Sequence, residues 1–298
     1  MRTPRMALAL LALWLGAGRA DAQSPLRVLV TNDDGIAAPG IDALVNALSA
    51  NNDLLVMVVA PDVNQSGTGD QVTNQPGATI TSTVGQTASG VPGTAIGGFP
   101  ADAVLWGVRT ALPPLPDLVV SGINTGQNIG EAVRLSGTVG AATWAARLGI
   151  PAFAASTQFS ISDYGEAASF VARLVEKFRT NKKFRKKMRE KDTGRGLVLN
   201  LNIPDCPSGG RGMRLVTVGR SVEFTGYTLL ADDGTLRTWE PVQSVTNLNA
   251  VDCASTDTDV RTDVEAFLAG FATVTPLTDE GQASSRALKQ FGFVTKIY

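Results

Sequence analysis

Val-Leu-Val-Thr-Asn-Asp-Asp-Gly-Ile-Ala-Ala-Pro-Gly-Ile, residues 28–41, is the stretch that decides the fold. It begins as a short apolar β-type run and then reaches two adjacent carboxylates, Asp33 and Asp34. A helical pattern follows at 41–48. A strand that leads through a polar loop into a helix is typical of open α/β sheets, which bind cations or phosphates at such loops. By itself, Asp-Asp-Gly is also a common turn sequence, so the interpretation depends on the rest of the chain.

Strand, loop and helix patterns alternate through most of the chain. Apolar runs that predict strands recur at 54–60, 117–121, 151–156, 197–201 and 271–276. The longest helical pattern spans 164–191, and short β patterns at 68–98 are typical of a hairpin. This order predicts an α/β fold with an open, mostly parallel, helix-covered sheet. The alternation of strands and helices stops at residues 205–260, which predict a smaller β-rich part. We expect the apolar tail at 288–298 to pack on a partner subunit.

The first residues have the pattern of a secretory signal peptide. Arg2 and Arg5 precede an apolar stretch at 7–15, and small residues follow up to Ala22. This pattern predicts that residues 1–22 are a signal peptide cleaved near Ala22, and that the mature chain is exported, either to a periplasm or outside the cell. The apolar stretch is too short to span a bilayer, so we expect no membrane anchor.

The composition excludes several classes of site. The chain has no histidine, which excludes Ser-His-Asp and Cys-His catalysis and histidine-ligated zinc. Its 26 basic and 27 acidic residues give a formal net charge of −1, so we expect no specific nucleic-acid binding. Export would permit a disulfide between the only two cysteines, Cys206 and Cys253. Two unpaired thiols are equally compatible with the sequence.

Three polar loops each follow an apolar strand, at residues 32–34, 64–66 and 124–128. Because loops after parallel strands lie at the same edge of a sheet, we expect these three to converge. Together they supply two carboxylates, hydroxyls and amide oxygens. Such hard oxygen ligands suit Mg²⁺, Mn²⁺ or Ca²⁺.

A fourth element is the start of a predicted helix at Ser136, Gly137 and Thr138. Ser136 has the character of an N-cap, and that role alone would explain it. The free N–H groups at a helix start also make a phosphate site. A metal beside such a helix start is the arrangement needed to hydrolyse a phosphate ester.

Four ordered motifs resemble those of the SurE family of metal-dependent 5′/3′-nucleotidases and acid phosphatases. They are residues 28–41, Val-Ala-Pro-Asp-Val-Asn-Gln-Ser-Gly at 59–67, Ser-Gly-Ile-Asn-Thr-Gly-Gln-Asn-Ile-Gly at 121–130, and Ser-Gly-Thr-Val-Gly-Ala-Ala at 136–142, with further similarity at 199–204 and 274–277. The resemblance covers essentially the whole mature chain. It implies a Rossmann-like, mostly parallel sheet with helices on both faces and a smaller β-hairpin-rich extension. The core would lie at about 23–204 and 270–298, and the extension at about 205–260.

The resemblance also implies the site. A divalent metal ion, Mg²⁺ or Mn²⁺ with Ca²⁺ as a further possibility, would be held by Asp33, Asp34, Ser66 and Asn124. The residues expected to bind the substrate are Asn64, Ser136, Gly137 and Thr138. Those expected to carry catalysis are Asp33, Asp34, Asn128 and Ser136. The expected substrates are nucleoside 5′- or 3′-monophosphates, and the expected assembly is a homodimer or tetramer formed through the C-terminal segment.

Three positions depart from common sequences of the family. Ala37 stands where the family often has His, Leu135 where it often has Tyr, and Ala103 where it often has Cys. The expected metal ligands are intact, so these changes bear on substrate preference. The alternative interpretation is an exported nucleotide- or metal-binding protein without turnover. A P-loop enzyme is excluded because G-x-x-x-x-G-K-[ST] is absent.

Overall fold

A computed structural model describes residues 24–111, 114–159, 161–189, 193–207 and 210–298. The predicted signal peptide at 1–22 lies outside these described residues. Among the helices that the structure describes, none is long and apolar enough to cross a membrane.

A mixed sheet forms the centre of the fold, and a separate two-stranded sheet lies outside it. The strands are β1 (Leu26–Thr31), β2 (Leu54–Pro61), β3 (Thr81–Gln86), β4 (Pro92–Gly97), β5 (Leu118–Thr125), β6 (Ala152–Thr157), β7 (Val198–Ile203), β8 (Met213–Leu215), β9 (Val222–Asp232), β10 (Arg237–Val245), β11 (Ala272–Thr278) and β12 (Gly281–Gln282). The order in the main sheet is β12-β11-β7-β6-β5-β1-β2-β4-β3, and β8 pairs with β11. From β7 to β4 every pairing is parallel. The predicted α/β fold is confirmed.

Helices cover both faces of this sheet. They are α1 (Pro39–Ser49), α2 (Pro100–Trp106), α3 (Ala132–Leu135), α4 (Gly137–Arg147), α5 (Gly165–Thr180), α6 (Lys182–Lys187), α7 (Asp263–Leu268) and α8 (Ser285–Lys289), and a π-helical turn at Gly107–Ala111 extends α2. Val28 and Val30 of β1 pack in the core that α1, α5 and α6 complete. Leu29, between them, packs in the core on the side of α2 and α4. Burial on both faces explains why the central strands are continuously apolar.

The hairpin predicted at 68–98 is formed by β3 and β4, and β4 also pairs in parallel with β2. The hairpin is therefore part of the main sheet. Within the predicted extension, β9 and β10 pair with each other in an antiparallel ribbon, whereas β8 belongs to the main sheet.

The single helix predicted over 164–191 is wrong, because α5 ends at Thr180 and α6 begins at Lys182. Asn181 between them has extended backbone angles, and its side chain accepts a hydrogen bond from the N–H of Phe184. Asparagine is a favoured N-cap because its side chain replaces the missing backbone acceptor. The resulting bend brings Phe184 into the core, with its ring 5.6 Å from that of Phe178.

The tail at 288–298, which the sequence predicts to pack on a partner subunit, also makes contacts within its own chain. Phe291 and Val294 are fully buried in the core on the side of α5 and α6. The ring of Tyr298 lies 5.1 Å from that of Phe170 in an edge-to-face contact. Phe291 and Val294 are therefore covered within one subunit. Phe293, Ile297 and Tyr298 are only partly buried, so the contact of the tail with a partner stays a prediction.

The two cysteines form a disulfide. Cys206 follows β7 and Cys253 precedes α7, and their Cα atoms are 5.6 Å apart. The bond closes a separation of 47 residues and joins the main sheet to the segment that leads into α7. Of the two alternatives that the sequence left open, the structure has the paired one.

Candidate active site

The loop after β1 is fixed as a tight turn. The side-chain amide of Asn32 donates to the carbonyl of Gly35 at 2.8 Å. Gly35 has φ +104°, a conformation that favours glycine. Asp33 in this turn is 2% exposed, and Asp34 is only partly exposed. β1 therefore places both carboxylates at the edge of the sheet where the parallel strands end.

Asp33 contacts the first turn of α4. The hydroxyl of Thr138 donates to Oδ1 of Asp33 at 2.6 Å. A Cβ at position 137 would lie 2.7 Å from Cβ of Asp33 and 2.9 Å from its Oδ2, closer than a Cβ atom approaches its non-bonded neighbours. Glycine at 137 thus allows the helix start to lie directly against the carboxylate.

Asp34 contacts the two other polar loops. The side-chain amide of Asn64 donates to its Oδ1 at 3.2 Å, and the backbone N–H of Thr125 donates to its Oδ2 at 3.2 Å. The backbone N–H of Gln65 also donates to the carbonyl of Asp33 at 2.7 Å. The structure therefore brings together the three loops and the helix start that the sequence singled out.

The second loop is held in place on both sides. Oδ1 of Asn64 accepts from the backbone N–H of Ser66 at 2.9 Å. The N–H of Gly69 donates to the carbonyl of Leu135 at 3.0 Å, which ties the loop to the approach to α4. Both the oxygen and the nitrogen of the Asn64 amide thus form hydrogen bonds within the site. Ser66 is exposed.

In the third loop, Asn124 directly precedes Thr125, whose backbone N–H contacts Asp34. Asn124 is 7% exposed, and its Nδ2 donates to the carbonyl of Gly126 at 2.6 Å. This contact fixes which end of the amide is the donor, so that Oδ1 remains the group able to bind a cation. The hydroxyl of Thr157 donates to the carbonyl of Asn124 at 3.1 Å.

Asn128 is held by side chains that sequence reasoning did not assign. Its backbone N–H donates to Oδ1 of Asn202 at 2.7 Å, and its carbonyl accepts from the amides of Asn200 at 2.8 Å and Asn202 at 3.2 Å. Its own Nδ2 donates to the hydroxyl of Ser156 at 2.8 Å. The signal was present at 199–204, where two asparagines alternate with apolar residues in a strand that is buried throughout.

Ser136 is the N-cap of α4. Its Oγ accepts from the backbone N–H of Val139 at 3.1 Å, as the sequence predicted for a cap. The amides of Gly137 and Thr138 lie in the first turn, where a helix has no internal acceptors. The helix start can therefore bind an anion next to Asp33.

The two carboxylates lack an opposite charge. In the described part of the chain, neither Asp33 nor Asp34 belongs to an ion pair. Burial raises the pKa of Asp33 to about 6, opposed by the hydrogen bond from Thr138 and assisted by the charge of Asp34. Burial also raises the pKa of Asp34. A bound cation would supply the missing charge.

The donor set fits a hard divalent cation. Two carboxylates, the hydroxyl of Ser66 and the amide oxygen of Asn124 are oxygen ligands of the kind that Mg²⁺ and Mn²⁺ accept. The described residues contain no cluster of three or more His, Cys, Asp or Glu side chains that could hold a metal. Neutral oxygens are therefore needed to complete the set around the aspartate pair.

Asp263, at the start of α7, is a buried carboxylate that sequence reasoning missed. It is fully buried and accepts from the backbone N–H of Gly219 at 2.7 Å and of Gly130 at 3.3 Å. Burial raises its pKa to about 6. Gly130 lies two residues after the third polar loop, so Asp263 anchors the segment that follows this loop. Its only sequence signal is the capping box formed by Thr262 and Glu265 around it.

Comparisons with known proteins identify one family. The family model described as Survival protein SurE matches residues 28–224. The 5′-nucleotidase SurE of Symbiobacterium thermophilum is 36% identical over 252 residues, covering 84% of this chain and 91% of that protein. The 5′/3′-nucleotidase SurE of Yersinia enterocolitica is 38% identical over 195 residues, covering 65% of this chain and 71% of that protein.

A similar fold is found in a solved structure. The crystal structure of the SurE protein from Aquifex aeolicus superposes with a TM-score of 0.64 and 28% sequence identity. The match covers 91% of this chain and 99% of the crystallised one. The similarity therefore extends over nearly the whole of both molecules.

Proposed function

The chain belongs to the SurE family, and on this premise we propose that it is a metal-dependent phosphomonoesterase acting on nucleoside 5′- and/or 3′-monophosphates. The observation that carries the proposal is the pair of adjacent carboxylates without an ion pair among the described residues, of which Asp33 lies against the first turn of α4 and Asp34 contacts the two other polar loops. A cation site beside an anion site is what the hydrolysis of a phosphate ester requires.

Asp33, Asp34, Ser66 and Asn124 would hold the metal, with Mg²⁺ or Mn²⁺ the expected ion and Ca²⁺ an alternative occupant. When bound, such an ion supplies Lewis-acid polarisation of the phosphoryl group and activation of a water molecule. Thr138 and Asn64 keep the two carboxylates in place through their hydrogen bonds. Asn124 offers its amide oxygen because its nitrogen is committed to Gly126.

The start of α4 would bind the phosphate. The amides of Gly137 and Thr138 can donate to its oxygens, and the positive end of the helix dipole favours the negative charge. Oγ of Ser136 accepts from Val139, so its own O–H is available to donate to a phosphate oxygen. Asn128 would complete the pocket, in a position fixed by Asn200 and Asn202. These preorganised donors stabilise the charge that develops in the transition state.

The deciding experiment measures phosphate release from a panel of nucleoside 5′- and 3′-monophosphates. The purified mature chain is assayed with Mg²⁺ or Mn²⁺, after EDTA, and after the metal is restored. We expect release that EDTA abolishes and the metal recovers. Nucleotide binding without release under any metal would favour the alternative, an exported nucleotide- or metal-binding protein without turnover.

We further propose that the mature chain is exported after cleavage near Ala22. The support is the pattern of residues 1–22 together with the disulfide between Cys206 and Cys253, a bond that persists mainly in oxidising compartments. N-terminal sequencing of the protein recovered from the cell exterior or a periplasmic fraction tests this. Recovery of a chain that still begins at Met1 in the cytoplasm would contradict it.

The expected homodimer or tetramer through the C-terminal segment stays a prediction, and we propose the ribbon of β9 and β10 as a further contact between subunits. Leu229, Leu230 and Trp239 on this ribbon are 43%, 59% and 50% exposed. A two-stranded ribbon is at best marginally stable alone in water. A second subunit would cover its apolar side chains.

A further inference from the structure

Three exposed apolar side chains flank the candidate site. Val63 is 58% exposed and precedes Asn64, Leu135 is 64% exposed and precedes Ser136, and Phe159 is 60% exposed after β6. Single exposed apolar residues are common on protein surfaces and need no explanation. Phe159 has two further features: its ring lies next to Gly126, and its backbone N–H forms a hydrogen bond with the side chain of Gln127.

The ring of Phe159 lies beside an expected metal ligand. A Cβ at position 126 would be 3.3 Å from Cδ2 of Phe159 and 3.9 Å from Nδ2 of Asn124. One point in space is therefore within contact distance of both the aromatic ring and the amide. Because residue 126 is glycine, with φ +113°, this point is left free of protein atoms.

The backbone around Phe159 is anchored from two directions. Its N–H donates to Oε1 of Gln127 at 3.0 Å, and Nε2 of Gln127 donates to the carbonyl of Leu248 at 2.7 Å. The N–H of Gln158 donates to the carbonyl of Ile203 at 3.1 Å. Because this backbone is already anchored, little conformational entropy is lost when the exposed ring binds a ligand.

We propose that the nucleobase of the substrate stacks on Phe159, which makes it a specificity-determining residue. The proposal rests on the proposed function, in which the phosphate lies at the start of α4. Every base has a π face, so stacking on an aromatic ring adds affinity with little discrimination among bases. The chain should then favour nucleoside monophosphates over phosphate esters that lack an aromatic group.

Kinetics on two substrates tests the proposal. For AMP, Phe159→Ala should raise KM about tenfold, in the lower part of the range for base–aromatic stacking, with kcat nearly unchanged. Ribose 5-phosphate, which lacks the base, should show no change in KM or kcat. Phe159→Trp should restore the KM for AMP. Leu55→Ala, at another exposed apolar side chain remote from the site, is the matched control and should change nothing.

Adenosine binding separates a failure of this proposal from a failure of the proposed function. Adenosine has no phosphate, so calorimetry measures its affinity whether or not the chain turns substrate over. We expect Phe159→Ala to weaken adenosine binding about tenfold. Wild-type binding with this loss, but no phosphate release from any nucleotide, would overturn the proposed function and leave the stacking in place. An unchanged adenosine affinity in Phe159→Ala, or an equal rise in KM for both substrates, would overturn the stacking.

Discussion

Asp33 is a residue of the candidate site whose burial lowers the stability of the folded chain. It is 2% exposed and has no cationic partner among the described residues, and burial raises its pKa to about 6. Keeping this carboxylate charged at neutral pH therefore costs stability in the absence of metal. The hydrogen bond from Thr138 relieves only part of that cost.

Asp33→Asn should separate activity from stability. The amide keeps an oxygen that can accept from Thr138, but it removes the charge that holds the cation. We expect kcat/KM for a nucleotide to fall by more than about a hundredfold, since even outer-shell partners of a metal are worth 10- to 100-fold. In EDTA the melting temperature should stay unchanged or rise, because a buried charge is removed.

Phosphate release and thermal melting of the same preparations check this prediction. Asp42→Asn is the matched control, because Asp42 accepts from Ser89 on the surface and takes no part in the site. Full activity in Asp33→Asn would remove Asp33 from the site. A large drop in melting temperature would give Asp33 a structural role instead.

Asp263 is the second buried carboxylate with a raised pKa, and it makes a prediction about pH. Its pKa rises from 3.8 to about 6 because of burial, so between these values the folded chain holds a proton that the unfolded chain has lost. Its contribution to stability therefore falls as the pH rises through this window and is constant above it. In Asp263→Asn this contribution is absent, while an oxygen remains for Gly219.

Urea unfolding of both proteins from pH 4 to pH 7 measures the effect. The wild type should lose stability relative to the variant by roughly 2.4 kcal/mol between pH 4 and pH 7, most of the effect of the whole pKa shift at about 1.4 kcal/mol for each unit. Because both proteins contain the other carboxylates, the comparison removes their effect on stability. Several of them have lowered pKa values, so their contribution to stability rises with pH. Two parallel stability curves would show that Asp263 does not titrate in this window.

At the scale of elements, the alternation of strand, loop and helix was predictable. Apolar runs identify the central strands, and a parallel sheet places the loops that follow them at one edge, as the contacts of Asp34 with Asn64 and Thr125 show. The break at Asn181 was not predictable from helical periodicity, because the pattern continues across it. The alternation of asparagines and apolar residues in β7 marks Asn200 as unusual, but it does not identify Asn128, 72 positions away, as the residue to which its side chain donates.

The disulfide between Cys206 and Cys253 is the covalent link between β7 and the segment before α7. Replacing both cysteines with serine should lower the free energy of unfolding by about 4 kcal/mol at most, the entropic value for closing a loop of this length. Urea unfolding of the two proteins measures the difference. Dithiothreitol should destabilise the wild type by a similar amount and leave the serine variant unchanged. A reductant effect of equal size on both proteins would contradict this explanation.

At the scale of the whole molecule, the ribbon of β9 and β10 differs from the rest. Among the described residues, its two strands pair only with each other, whereas the other strands belong to one sheet. Leu229 and Trp239 face each other across the ribbon and are both exposed. We propose that this exposed apolar surface contacts a second copy of the chain, the partner that is always present.

Leu229→Glu combined with Trp239→Glu should therefore convert the oligomer into monomers, because charged side chains would have to be buried at the contact. Light scattering of the purified chain gives the mass directly, and melting of the main sheet should be little affected. Val84→Glu is the matched control, since Val84 is 95% exposed on the main sheet and should not alter the mass. An unchanged mass in the double variant would place the subunit contact elsewhere, and a monomeric wild type would end the oligomer proposal.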